Sequence, residues 1–273
     1  MLSYKYLIKR EIMKNILQIL FSIKNDEDKR HKIITILGLK IKIKVLYKKQ
    51  YECENALYSQ FSYHIEQMRK IASKLQPQNR DECFDRYFIE DFCERNSKYI
   101  KGDVLEFAGG ETIYSKKYGN AQNVKIMTAI SHKDIYKNAD YYSDLEDKNT
   151  LPKEKFDCIV ATQVIMYMEN LDETLKNLKS MLKPNGHLIL TVPGPLFHHS
   201  KNSHHMYSFT EESIKSLSLK HFNNYVDFKC YGNLEYAQYM LFWLKKNPFQ
   251  KPTDFEYTYT LVIGITAKNE VVQ

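Results

Sequence analysis

The chain has 273 residues, is 43% hydrophobic and 27% charged, and carries a net charge of +7. This is ordinary globular usage, enough for one large domain with or without an appendage, and it excludes disorder as the default. Five cysteines (Cys53, Cys83, Cys93, Cys158 and Cys230), odd in number and without a CxxC pair, argue against a disulfide scaffold or a Cys-pair zinc site and fit a reducing cytosol.

Residues 1–50 hold 13 Lys/Arg against 4 Asp/Glu, a net +9, which leaves −2 for residues 51–273. Attraction to an anionic surface is therefore expected at the N-terminus and not in the core. Residues 4–23 place Tyr4, Leu7, Ile8, Ile12, Ile16 and Leu20 at helical spacing, with Lys5, Lys9, Arg10 and Lys14 between them. The spacing predicts a basic amphipathic helix, packed on its own domain or laid on a membrane surface or partner. The apolar run at 16–23 is too short for a membrane span and lacks the layout of a signal peptide.

Asn25, Asp26, Glu27 and Asp28 break the pattern. In residues 40–45, Ile41, Ile43 and Val45 alternate with Lys40, Lys42 and Lys44, the period of a strand, and Gly38 suits a tight turn, so residues 31–45 are expected to form a small hairpin. Helical stretches follow at 52–74 and 81–96. The chain thus divides into a basic extension (1–50), a helical lead-in (51–100) and a main domain (101–273).

From residue 101 short apolar runs alternate with helical ones. Strands are expected at 103–108, 123–128, 141–145, 156–162 and 187–193. A helix capped by Asn170, with Asp172 and Glu173 in its first turn, buries Leu171, Leu175, Leu178 and Leu182 and stops at Lys183-Pro184-Asn185-Gly186. A capped helix at 209–222 and strands at 226–231 and 257–267 complete the pattern. Strands alternating with helices imply a mostly parallel, doubly wound α/β sheet. In such sheets ligands bind beyond the carboxyl ends of the strands. Here the first strand ends in Gly109-Gly110, where glycine lets the backbone approach a ligand closely. Neither GxGxxG nor GxxxxGK[ST] occurs, so nucleoside triphosphate chemistry has no support. With no RNP motif and a slightly acidic core, specific nucleic acid binding is not expected either.

Four runs, DVLEFAGG at 103–110, SDL at 143–145, FDCIVATQ at 156–163 and LKPNGHLILTVP at 182–193, resemble in order and spacing those of class I S-adenosylmethionine (SAM)-dependent methyltransferases, over about residues 85–268. The resemblance implies a Rossmann-like seven-stranded sheet of order 3-2-1-4-5-7-6, with SAM as cofactor. It also implies that Glu106 and the backbone of Ala108, Gly109 and Gly110 hold the methionine part. Asp144 and Leu145 would contact the adenine, Thr162 and Gln163 would line the sulfonium side, and Arg86 or Tyr87 would close over the cofactor. Thr128 stands where the family has an acid for the ribose hydroxyls, and Ala108 where it has the first glycine. Each of these residues also has a plain structural reading, as a strand end, a turn or packing.

DRYFIE at 85–90, HMYSFT at 205–210 and YGN at 231–233 resemble methyltransferases of glycan assembly. LFSIK at 20–24 with HKIITILGLK at 31–40 resembles a tag on bacterial capsule and lipopolysaccharide enzymes. The implied reaction is methylation of a sugar or other small group on a surface-polysaccharide precursor. It would run in the cytoplasm at the inner face of the membrane, where the basic N-terminus meets lipid or a glycosyltransferase. A hydroxyl acceptor benefits from a general base. The cluster His198, His199, His204 and His205 follows the fifth strand at the substrate face. It reads as a solvated loop, as the source of that base or, with no defined coordination geometry, as a metal site; no metal is assigned. Thr128 and Ala108 keep a second reading open, a catalytically inactive methyltransferase fold serving as scaffold in a glycan assembly complex.

Overall fold

A computed structural model describes residues 21–25, 31–36, 39–44, 47–108, 112–196, 204–241, 244–245 and 255–270. The chain divides into two compact units, residues 1–69 and 70–273.

In the first unit, β1 (Phe21–Asn25), β2 (His31–Ile36) and β3 (Leu39–Lys44) form an antiparallel sheet in that order, with Ile23 opposite Ile34 and Ile34 opposite Ile41. The expected hairpin is β2–β3. The expected helix at 4–23 is corrected at its end, since residues 21–23 are strand. Phe21 and Ile23 alternate with Ser22 and Lys24, and backbone pairing to β2 satisfies a period-2 pattern that a helical reading absorbs. Residues 4–20 of that expectation lie outside the described residues, as does Gly38. Helix α1 (Tyr47–Ala72) follows and runs across the division between the units.

The second unit is a seven-stranded sheet between two helical layers. Its strands are β4 (Lys101–Phe107), β5 (Asn120–Ala129), β6 (Tyr141–Ser143), β7 (Phe156–Thr162), β8 (Leu182–Pro193), β9 (Tyr225–Tyr231) and β10 (Val262–Lys268). They lie in the order β6-β5-β4-β7-β8-β10-β9, which is 3-2-1-4-5-7-6 counted from β4. Strands β4 to β8 are parallel, and β10 is antiparallel to both β8 and β9.

Strands covered on both faces read as continuous apolar runs, and alternate residues feed opposite cores. Leu105, Phe107, Ile159, Ala161, Leu188 and Leu190 pack with Leu175 and Leu178 of α4 (Leu171–Ser180) and Ile214 of α5 (Glu211–His221). Val104, Cys158, Val160 and Ile189 pack with Phe88, Ile89 and Phe92 of α2 (Arg86–Arg95) and Tyr236 of α6 (Leu234–Leu241). Gly264 lets β10 pass beneath this second layer, since a Cβ there would sit 2.4 Å from the Phe92 ring.

Asn170 caps α4 as expected, and Thr210 proves to be the cap of α5, each side chain accepting a backbone N–H three residues on. Three local expectations are corrected, and one element is unexpected. Leu182 belongs to β8 and not to the buried stripe of α4, because pairing with Phe156 draws residues 182–186 into the sheet. The helix expected at 81–96 is a 3₁₀ turn (Arg80–Glu82) followed by α2. The strand expected at 257–267 begins at Val262, after a 3₁₀ turn at Tyr257–Tyr259. Helix α6 has no counterpart among the expected elements; its apolar face, Tyr236 and Met240, reads only against the aromatic surface of Phe84 and Phe88.

Candidate functional site

The chain leaves β4 toward β5 on one side of the sheet and enters β7 on the other, so the strand order reverses beside β4. Such a switch point opens a crevice at the carboxyl ends of the strands. Phe107 is level with Met127, Met127 with Tyr141, and Thr162 with Thr191. The register therefore gathers Ala108, Thr128, Asp144 and Gln163 along one edge.

Glu106, the penultimate residue of β4, is 1% exposed. Its carboxylate accepts the backbone N–H groups of Tyr114 (2.7 Å) and Ser115 (2.8 Å) and the Ser115 hydroxyl. These are the first residues of the one-turn helix α3 (Tyr114–Tyr118), where a helix leaves N–H groups unpaired. Glu106 thus folds the loop after β4 back upon the strand that carries it. The loop is fastened again at Thr112, whose hydroxyl donates to Asp81 at 2.7 Å. Ala108 donates its N–H to the Met127 carbonyl and holds the loop's start to β5. Gly109 and Gly110 lie outside the described residues.

Arg86 is buried with Asp85, which accepts from it at 2.7 and 3.3 Å, and it donates to the Tyr114 hydroxyl at 3.2 Å. Burial opposes its charge, but Asp85 and Tyr114 outweigh that and hold its pKa above the ordinary value. The guanidinium therefore buttresses α3 from beneath.

Thr128 is buried at the end of β5. At the end of β6, Asp144 is exposed and sits in a tight turn. Its backbone N–H donates to the Thr150 hydroxyl, and its carboxylate accepts the Glu146 N–H at 2.9 Å. Leu145 is buried, and its carbonyl accepts from Asn177 of α4 at 2.8 Å, which fixes the turn to the main core.

Thr162 ends β7, and Gln163 follows with φ +56°, a left-handed backbone unusual for a side-chain-bearing residue. Its N–H donates to the Thr191 carbonyl at 2.8 Å. The Gln163 amide nitrogen and oxygen are both buried, and both lack a hydrogen-bond partner among the described residues. A buried polar group left unpaired costs about 1–3 kcal/mol, so this amide is an exception that asks for an explanation.

Of the four histidines, His198 and His199 lie outside the described residues. His204 is exposed. His205 sits 3.1 Å from the Ser208 hydroxyl and edge-on to the Tyr167 ring. Met206 and Tyr207 donate their N–H groups to the Met166 carbonyl, in the 3₁₀ turn (Ile165–Tyr167) just after Gln163. The segment after β8 is thereby laid against the segment after β7. Among the described residues, no three His, Cys, Asp or Glu side chains gather as metal ligands.

Comparisons with known proteins show the family of the chain. Residues 64–227, more than half of the chain, match the family model described as a methyltransferase domain. The chain belongs to this methyltransferase domain family. SAM is the cofactor that this membership carries. A hybrid PKS-NRPS synthetase of Talaromyces variabilis is 27% identical over 153 residues, which covers 45% of this methyltransferase and 4% of that much longer protein.

Among solved structures, the N-methyltransferase NodS of Bradyrhizobium japonicum in complex with S-adenosyl-L-homocysteine (SAH) shares 11% identity (74% of this chain, 98% of that chain, TM-score 0.44). A putative methyltransferase of Bacillus halodurans shares 12% (67% and 99%, TM-score 0.44).

The sequence alone points to Glu106 and Gln163 at the crevice, but not to the partners that define them. Ser115 lies nine residues beyond Glu106, across a loop, and carries no motif. Only its position at the start of a helix facing a strand-end carboxylate marks it.

Proposed function

We propose that this methyltransferase moves the SAM methyl group to a hydroxyl of a carbohydrate precursor, with Gln163 at the lip between cofactor and acceptor. The supporting observation is the Gln163 amide at the switch point, buried and without a partner among the described residues. It offers one acceptor and two donors where the cofactor's sulfonium end and the incoming acceptor have to meet.

The residues present fit the cofactor. Glu106 is committed to Tyr114 and Ser115, so its part is to shape the loop whose backbone at Ala108, Gly109 and Gly110 takes the methionine end. Leu145, anchored by Asn177, offers an apolar wall to the adenine, and Asp144 retains acceptor capacity beside it. Thr128 supplies a hydroxyl toward the ribose, a weaker partner than the carboxylate it replaces. Arg86, tied to Asp85 and to the Tyr114 hydroxyl, would brace the loop that takes the cofactor.

SAM supplies an activated methyl group on a sulfonium. With SAM bound, the acceptor oxygen would take that methyl as the carbon–sulfur bond breaks, SAH would be the leaving group, and the hydroxyl proton would pass to a base. The chain's task is alignment, which contributes most when the reacting atoms are held near contact distance. His205, next to Tyr167 on the segment that leans on the β7 turn, is the described histidine best placed to take the proton. Tyr167 and Tyr207 offer aromatic faces to a sugar ring.

The carbohydrate class rests on the sequence resemblances at 85–90, 205–210 and 231–233. The +9 charge of residues 1–50 supports a site of action at an anionic membrane surface or beside a partner glycosyltransferase. No described helix is long and apolar enough to cross a membrane. Transfer of labelled methyl from SAM to a panel of nucleotide-linked sugars tests the reading; product that survives amide- and ester-cleaving treatment supports an ether, and label only on amines overturns it. Thr128 and Ala108 favour the scaffold alternative, for which no acceptor would be labelled although the fold is intact.

A further inference from the structure

Helix α1 runs 26 residues, yet its described side chains from 55 to 71 are exposed, except for Ile65 and Gln67, which are half-buried. Helices of proteins draw most of their stability from packing an apolar face, and this one shows large apolar groups to solvent. Leu57 is 66% exposed, Met68 42% and Ile71 59%.

Those residues recur with a fixed step. Leu57, Phe61, His64, Met68 and Ile71 are spaced 4-3-4-3, the 3.5-residue period that keeps one stripe facing a second helix of the same period. We infer that α1 is a dimerisation helix whose stripe, exposed at Leu57, His64, Met68 and Ile71, packs on the α1 of a second copy of this chain. Leu57 and Phe61 precede the segment that matches the family, residues 64–227, so the first part of the stripe is an addition to the methyltransferase domain.

The charge pattern selects a second copy over other occupants. Gln60 and Gln67 flank the stripe on one side and Tyr58 and Ile65 on the other. Two identical stripes therefore meet with no like charges opposed, as a two-fold, self-complementary interface requires. Glu66, Arg69 and Lys70 lie off the stripe. The helix carries only these three charges between 57 and 71, too weak a basic flank for a helix held on anionic lipid. His64 is the polar member of the stripe, and a single polar seam position is a device for fixing register.

The test is sedimentation equilibrium of the full chain from about 1 to 100 µM, beside the double variant Leu57→Glu/Met68→Glu and the off-stripe control Tyr63→Glu. Leu57, Met68 and Tyr63 are solvent-exposed in the single chain, so none of these changes removes core packing, and circular dichroism verifies the fold. A reversible dimer in the wild type and the control, with a dissociation constant raised about 100-fold or more in the double variant because charges enter an apolar seam, supports the inference. A wild type that stays monomeric throughout overturns it, whether the stripe is then covered by residues 1–20 of its own chain or by lipid vesicles in a flotation assay. A dimer indifferent to Leu57→Glu/Met68→Glu overturns it equally.

Discussion

Glu106 and Ser115 are joined twice, through the Ser115 backbone N–H at 2.8 Å and through its hydroxyl, and the same carboxylate takes the Tyr114 N–H at 2.7 Å. One buried side chain therefore holds both ends of the loop that follows β4. Each buried donor left unpaired costs about 1–3 kcal/mol. Glu106→Ala is expected to lower the unfolding free energy by about 3 kcal/mol and to abolish SAH binding. Glu106→Gln keeps one acceptor oxygen and should lose about half as much. Urea denaturation of the three proteins measures the order, and equal stability of wild type and Glu106→Ala would remove the carboxylate from its structural role.

Gln163 is predicted to behave in the opposite way. Its amide is buried without a partner among the described residues, so Gln163→Leu removes an unsatisfied group and keeps a similar volume. The substitution should leave thermal stability unchanged or raise the unfolding free energy by about 1 kcal/mol, while SAH or acceptor binding weakens about tenfold. A variant that unfolds readily and binds normally would show the amide to be structural.

Much of this architecture is legible in the sequence where the signal is local. The run at 156–163 marks β7, the Asn170 cap marks one helix, and the family resemblance carried by four motifs in order implies the sheet order that the structure shows. What is not legible depends on distant partners. β1 reads as the end of a helix until β2 pairs with it, and Leu182 reads as helical until β7 draws it into the sheet. The unusual backbone of Gln163 and the Glu106–Ser115 tie arise from tertiary geometry that no spacing rule reports.

Gly264 admits β10 under the α2 layer. Gly264→Ala puts a Cβ 2.4 Å from the Phe92 ring, and since the Phe92 side chain is fully buried the ring has little room to move. A loss of about 1–3 kcal/mol is expected, read as a lower midpoint in thermal unfolding. The double variant Gly264→Ala/Phe92→Leu should recover part of it, and additive losses would contradict the contact.

Stability should fall on mild acidification through His187. This ring is half-buried, stacks on Tyr99 at 4.4 Å between centroids, and is held below the usual histidine pKa first by burial and then by Lys268 and Lys101. A depressed folded pKa means that the folded state binds fewer protons, so the contribution is present above the unfolded value of about 6.5 and is lost as pH falls through the folded value. His187→Phe should flatten the stability profile in that window. An unchanged slope would assign the acid sensitivity to other groups.

The central claim, that the crevice beside β4 holds SAM despite Thr128 and Ala108, is tested most directly by calorimetric titration of the purified, cofactor-free protein with SAH. One saturable site per chain, lost in Glu106→Ala and weakened in Gln163→Leu, is the predicted result. No heat of binding from a protein shown by circular dichroism to be folded would contradict it and would favour the scaffold reading of the fold.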